Sequence, residues 1–116
     1  GDVYKRQDLK GWLSTAGGSP TIYGWDSIQL NQWQHVAMVY DGETVFLYVN
    51  GEQKASSSSP SGAVTDHSAF PLIIGAYKDV TKNNFKGMMT EVRVLNRALS
   101  AEEIADDYNY IINASE

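Results

Sequence analysis

The residues that could do chemistry are few, and local structure has a prior claim on most of them. Asp41 and Glu43 stand two apart, and Glu102 and Glu103 are adjacent; paired carboxylates can act as general acid and base. Asp41, however, precedes Gly42 at a turn, where Asp accepts hydrogen bonds from nearby backbone amides. Glu102 and Glu103 fall in the first turn of a predicted helix, where negative charge complements the helix dipole. His35 lies inside an apolar run with no Ser or Cys beside it, the setting of a core or semi-buried histidine. Asp66-His67-Ser68 puts acid, imidazole and hydroxyl side by side in a loop, but without the strand-turn-helix of a nucleophile elbow. Two histidines 32 residues apart do not make a zinc site. Cysteine is absent, so disulfides, thiolate ligands and Cys nucleophiles are absent with it. What remains is ligand binding. Tyr23 and Trp25, and Tyr77 with Asn83 and Asn84, combine aromatic rings with hydrogen-bonding groups.

The elements that would position these residues are short strands separated by turn chemistry, the pattern of an antiparallel sandwich. Residues 10–15 make a weak strand, closed by Gly17-Gly18-Ser19-Pro20, and 21–25 a second one rich in β-branched and aromatic residues. Residues 33–40 read as the strongest strand, with Trp33, His35, Ala37 and Val39 on one face and Gln34, Val36, Met38 and Tyr40 on the other. Both faces are largely apolar, which predicts a central strand covered on both sides. Asp41-Gly42 and Asn50-Gly51 are hairpin turns, since glycine takes positive φ without steric cost. Together they predict a three-strand meander over residues 33–55.

Residues 56–62 are a Ser-rich surface loop and 71–75 a buried strand, with Pro71 at its start where no ladder donor is lost. Residues 77–84 form a second loop, 89–95 a closing strand. Ser100 and Glu103 then form an S-x-x-E capping box. The helix it opens carries Ile104, Tyr108 and Ile111 on one face, while Asp106 and Asp107 oppose its dipole and predict a short, frayed element.

Four motifs occur in order: W-x-H-V-A-x-V-Y-D-G from Trp33, L-Y-V-N-G from Leu47, P-L-x-I-G from Pro71, and F-x-G-x-x-x-E-V-R-V-x-N-R-A-L-S-x-E-E-I from Phe85. In these the chain resembles the laminin-G-like domains of the concanavalin A-like lectin/glucanase class. The resemblance implies an all-β, antiparallel two-sheet jelly-roll sandwich with a short C-terminal helix. It implies a non-catalytic binding module for a glycan or protein ligand, in a larger secreted or cell-surface bacterial protein with other domains. Trp33, Phe46 and Phe85 match its core positions, which leaves Tyr23, Trp25, Tyr77, Asn83 and Asn84 as the candidate ligand-binding residues. Glucanases of this class need alternating carboxylates, as in E-x-D-x-E, on one strand, and this chain has no such run. The resemblance also raises Ca²⁺ at the loop after Gly75. Asp79 is the one carboxylate there, Asn83 and Asn84 could assist, and Lys78 and Lys82 would repel the ion. Thr90 stands where an Asp usually precedes the Glu of the E-V-R run.

The 116 residues allow one domain with one core. A net charge of -5 without a basic cluster beyond Lys5-Arg6 argues against nucleic acid as partner, and no apolar run reaches membrane-span length. Residues 1–7 read as a cloning scar or fragment boundary, 8–112 as the C-terminal portion of a laminin-G-like domain, and 113–116 as a tail.

Overall fold

The strand that organises the molecule is Val45–Val49, because its apolar residues alternate to feed two separate cores. A computed structural model describes residues 8–66, 72–74 and 85–114. The chain divides into two compact units, Gly1–Thr65 with Arg97–Glu116, and Asp66–Asn96. The first contains β1 (Leu9–Trp12), β2 (Thr21–Gly24), β3 (Val36–Tyr40), β4 (Val45–Val49), β5 (Glu52–Ser57) and α1 (Ala101–Ala114). β1 and β2 pair antiparallel as one sheet; β3, β4 and β5 form a second, in that order.

The predicted meander is present, and its turns follow their residues. Asn50 and Gly51 have φ of 51° and 80°, so both central positions of the two-residue loop between Val49 and Glu52 are left-handed, as a type I′ turn requires. The Asp41 carboxylate accepts from the amides of Thr44 (2.7 Å) and Glu43 (2.9 Å). Those two bonds hold its pKa below the usual carboxylate value. Asp41 is thus a turn residue, as its sequence context suggests.

The centre of the sheet differs from expectation. β4, not β3, is the middle strand. Val45 and Leu47 pack with Ile22 of β2 on one side, while Tyr48 packs with Val39 and Ile104 on the other. On β3, Val36 and Met38 are exposed, and Trp33 is 64% exposed just ahead of the strand. The reason is area: a two-stranded layer cannot cover the whole face of a three-stranded one. An apolar groove of about 260 Å³ remains beside β1 and β3, lined by Leu9, Trp12, Val36 and Met38. Phe46 does pack against the helix-side core.

The helix is also longer than its charges suggest. Both capping-box bonds form, Ser100 Oγ accepting from the Glu103 amide (3.1 Å) and Glu103 Oε1 from the Ser100 amide (3.0 Å). Fourteen residues follow in helical form, because Ile104 is buried against β3 and β4 and tertiary packing outweighs an unfavourable dipole term. Arg97 adds a clamp that the capping motif does not announce, donating to both Glu103 oxygens at 3.1 and 2.7 Å.

Arg97, together with the Ser100 amide, holds the Glu103 pKa down from 4.5 to about 2. A carboxylate depressed in the folded state contributes stability that is present above its unfolded pKa and lost as pH falls through the folded one. The stability gap between the native chain and Glu103→Gln, which retains a capping side chain, should therefore close as pH drops from 4.5 toward about 2. Chemical denaturation across that window checks it; a gap independent of pH would refute the assignment.

In the second unit the described residues form neither helix nor strand. The strand expected over 89–95 is not formed, and Glu91 takes a φ of 55° in its middle. Leu72 and Ile74 are exposed, so the described part of the strand expected over 71–75 is neither buried nor extended into a ladder; Pro71 and Gly75 lie outside the described residues. Phe85, expected in the core, is 54% exposed with its ring over Gly87. β-Propensity alone does not hold a strand; it needs a partner for its amides and carbonyls. Among the described residues none pairs with this segment.

Candidate functional site

Of the aromatic candidates, the structure brings Tyr23 and Trp25 together. Their rings are parallel within 2° at a centroid distance of 4.5 Å, an offset-stack spacing. β2 presents Tyr23 opposite Lys10 of β1, and the Lys10 ammonium lies 5.3 Å from the Tyr23 ring centroid, within cation–π reach. Trp25 follows the end of β2 and is 54% exposed. The result is a planar, partly exposed aromatic pair. Tyr77, Asn83 and Asn84, and the metal candidate Asp79, lie outside the described residues. Among the described residues, no three His, Asp or Glu side chains converge as a metal site would need.

Next to Trp25 the chain opens a second feature that the motifs do not reveal. The β2–β3 connection, the Asn50-Gly51 turn and α1 enclose a mostly polar cleft of about 440 Å³. Asp26 and Gln34 line it from the connection, Asn50, Glu52 and Lys54 from the hairpin, and Tyr108 from the helix. Gly51 lets the hairpin seat against α1: a Cβ there would stand 3.3 Å from the Tyr108 ring and 3.4 Å from the Ala105 backbone. Lys54 is the extra residue of a bulge, since Leu47 pairs with Ala55 and Tyr48 with Gln53. Bulges re-aim side chains in this way.

His35 ties the parts of this region together. Its backbone amide donates to Asn50 Oδ1 (2.9 Å), and its carbonyl accepts from the Asn50 amide (2.8 Å). Its Nε2 lies 3.3 Å from Asp107 Oδ2, and its ring lies 6.1 Å from that of Tyr108. Among the described residues, Nδ1 is buried without a hydrogen-bond partner. The semi-buried reading of His35 holds, and its carboxylate neighbour is one of the two residues that oppose the helix dipole.

A laminin G model described as the concanavalin A-like lectin/glucanases superfamily matches residues 3–105. The chain belongs to that superfamily. Among solved structures, a fragment (residues 221–444) of an S-layer domain-containing protein from Clostridium thermocellum is similar, at 28% identity and a TM-score of 0.55. The match covers 78% of this chain and 46% of that one, so the superfamily domain here spans about half the length of its structural neighbour. No curated protein sequence matches it. Among the described residues, no helix of this superfamily member is long and apolar enough to cross a membrane.

Sequence reasoning reached Tyr23 and Trp25 because aromatic residues at the end of a strand are conspicuous. It did not single out Gln34, Asn50 and Tyr108, which line the polar cleft. Asn50 carries a turn signal that hides its side chain's second role, and Tyr108 sits at a helical spacing that reads as core.

Proposed function

We propose that this chain is a non-catalytic binding module of jelly-roll type that recognises carbohydrate, within a larger secreted or cell-surface bacterial protein. The observation that carries the reading is the parallel Tyr23–Trp25 stack, with Trp25 54% exposed. The apolar face of a sugar ring packs on such a surface. Superfamily membership and the S-layer neighbour support a lectin-like role outside the cell. One carboxylate of each candidate acid–base pair is engaged in local structure, Asp41 by turn amides and Glu103 by Arg97 and Ser100.

The test is retention on a broad array of immobilised glycans. Trp25→Ala should lower retention by about tenfold or more, as loss of an aromatic anchor does, with the melting temperature unchanged because the side chain is exposed. Native-level retention by Trp25→Ala would remove this stack as the platform. A second reading, adhesion to a protein partner, is favoured by the open apolar groove of Leu9, Trp12, Val36 and Met38. Failure to retain any glycan would leave that reading in place.

A further inference from the structure

The two-stranded layer sorts its side chains by kind. A Cβ at Gly11 would lie 2.8 Å from Leu47 Cδ2, and one at Gly24 would lie 3.5 Å from Lys54 Cβ, so both glycines face the three-stranded sheet. Leu9 and Ile22 lie on that same face and pack with Val45 and Leu47. Side chains alternate along a strand, which puts Lys10 and Trp12 of β1, with Thr21 and Tyr23 of β2, on the outward face. Trp25 joins them by stacking on Tyr23. The aliphatic residues of this layer thus turn inward, and its aromatic rings turn outward among an ammonium and a hydroxyl. Trp12 is 58% exposed and Trp25 54%.

We infer that Trp12 is a second aromatic anchor of the Tyr23–Trp25 platform, and that the outward face of β1 and β2 takes an extended, linear oligosaccharide and not a single terminal sugar. The inference rests on the carbohydrate-binding reading and deepens it. Trp12 pairs with Thr21, so Tyr23 is its diagonal neighbour on the same face, about 7–8 Å away and within reach of aromatic side chains. Four residues separate Thr21 from Trp25, a span of up to about 13 Å along the strand, longer than one sugar ring. Between the two tryptophans stand the Lys10 ammonium, 5.3 Å from the Tyr23 centroid, and the Thr21 hydroxyl. An ammonium donates and a hydroxyl both donates and accepts, which suits sugar hydroxyls between two apolar ring contacts. Trp12 also borders the apolar groove beside β3, but that groove is lined by Leu9, Val36, Met38 and Leu47, aliphatic or thioether side chains that offer a sugar no hydrogen bond. The rings are also stiff and held on paired strands, so little side-chain freedom is lost when a ligand binds.

The test is a chain-length series. Cellohexaose, xylohexaose, mannohexaose and chitohexaose, each beside its disaccharide, are titrated into the nitrogen-labelled chain. The expected result is that at least one hexasaccharide binds about tenfold or more tightly than its disaccharide. Trp12→Ala should weaken that hexasaccharide about tenfold, the loss of an aromatic anchor, and leave the disaccharide unchanged, while Trp12→Phe keeps most of the affinity. Trp25→Ala should weaken both ligands. In the native chain the Trp12 indole N–H resonance should shift with the hexasaccharide and stay in place with the disaccharide, a readout that needs no variant to fold. A hexasaccharide that binds no more tightly than its disaccharide would overturn the extended face while leaving the carbohydrate module intact. So would hexasaccharide binding that neither shifts the Trp12 resonance nor weakens in Trp12→Ala. Binding of none of the eight would overturn the inference, and retention on the glycan array then separates that loss from failure of the carbohydrate reading itself.

Discussion

Leu47→Ala is expected to lower the unfolding free energy by about 2–5 kcal/mol, the range for truncating a fully buried leucine. Leu47 is 2% exposed on the middle strand and packs with Val45 and with Ile22 of the other sheet. Directly above it runs the backbone of β1 at Gly11, where an added Cβ would lie 2.8 Å from Leu47 Cδ2 and 3.0 Å from Met38 Sδ. No side chain at Gly11 can swing in to fill the space that Ala leaves, so the cavity persists and its cost is not relieved. The same geometry supplies a control. Gly11→Ala crowds Leu47 in the native chain but partly fills the cavity in Leu47→Ala, so the double variant should be more stable than the sum of the single effects. Neighbours in contact commonly couple by roughly 0.5–3 kcal/mol. Urea denaturation of the four proteins measures it. A loss below about 1 kcal/mol, with additive effects, would mean that the two sheets do not share this core.

Ile104→Ala should cost a similar amount, about 2–5 kcal/mol, but with a different signature. Ile104 is 2% exposed and is the helix's buried anchor against Val39 and Tyr48. The capping box and the Arg97 clamp act within the first turn and its approach; they start the helix without fixing it to the sheet. Loss of Ile104 should therefore reduce helical circular dichroism and shift the His35 ring resonances, because Asp107 and Tyr108 are held near His35 by the same docking. Ile112→Ala, at a 44% exposed site on the same helix, should change stability by no more than about 0.5 kcal/mol. Equal losses from the two variants would show that the helix is stabilised by its own propensity and not by docking.

The contrast between these two sites and the rest of the chain explains what was legible. Ser100 and Glu103 could be paired from spacing alone because a capping box closes within four residues. Asn50-Gly51 and Asp41-Gly42 were readable for the same reason: the φ values and amide bonds that make each turn belong to the turn residues themselves. Trp33 and Phe85 misled because apolar character says that a residue can be buried, not that anything covers it. The segment 89–95 misled because a strand is a property of a pair, and sequence supplies one member at a time. Tyr23 and Trp25 were visible as residue types, yet their stacking within 2° depends on how the chain leaves β2.

The amino-acid sequence by itself determined the family, the meander, the two hairpin turns and the helix start, since each is encoded by residues within one turn or one motif of each other. Only the tertiary structure decided which strand lies in the middle, that the helix persists to Ala114, and that Gln34, Asn50 and Tyr108 face one cleft. Those outcomes depend on which surfaces meet across the chain. Burial against a distant partner carries energies of several kcal/mol, enough to override the local dipole and propensity terms of a few tenths that a sequence displays.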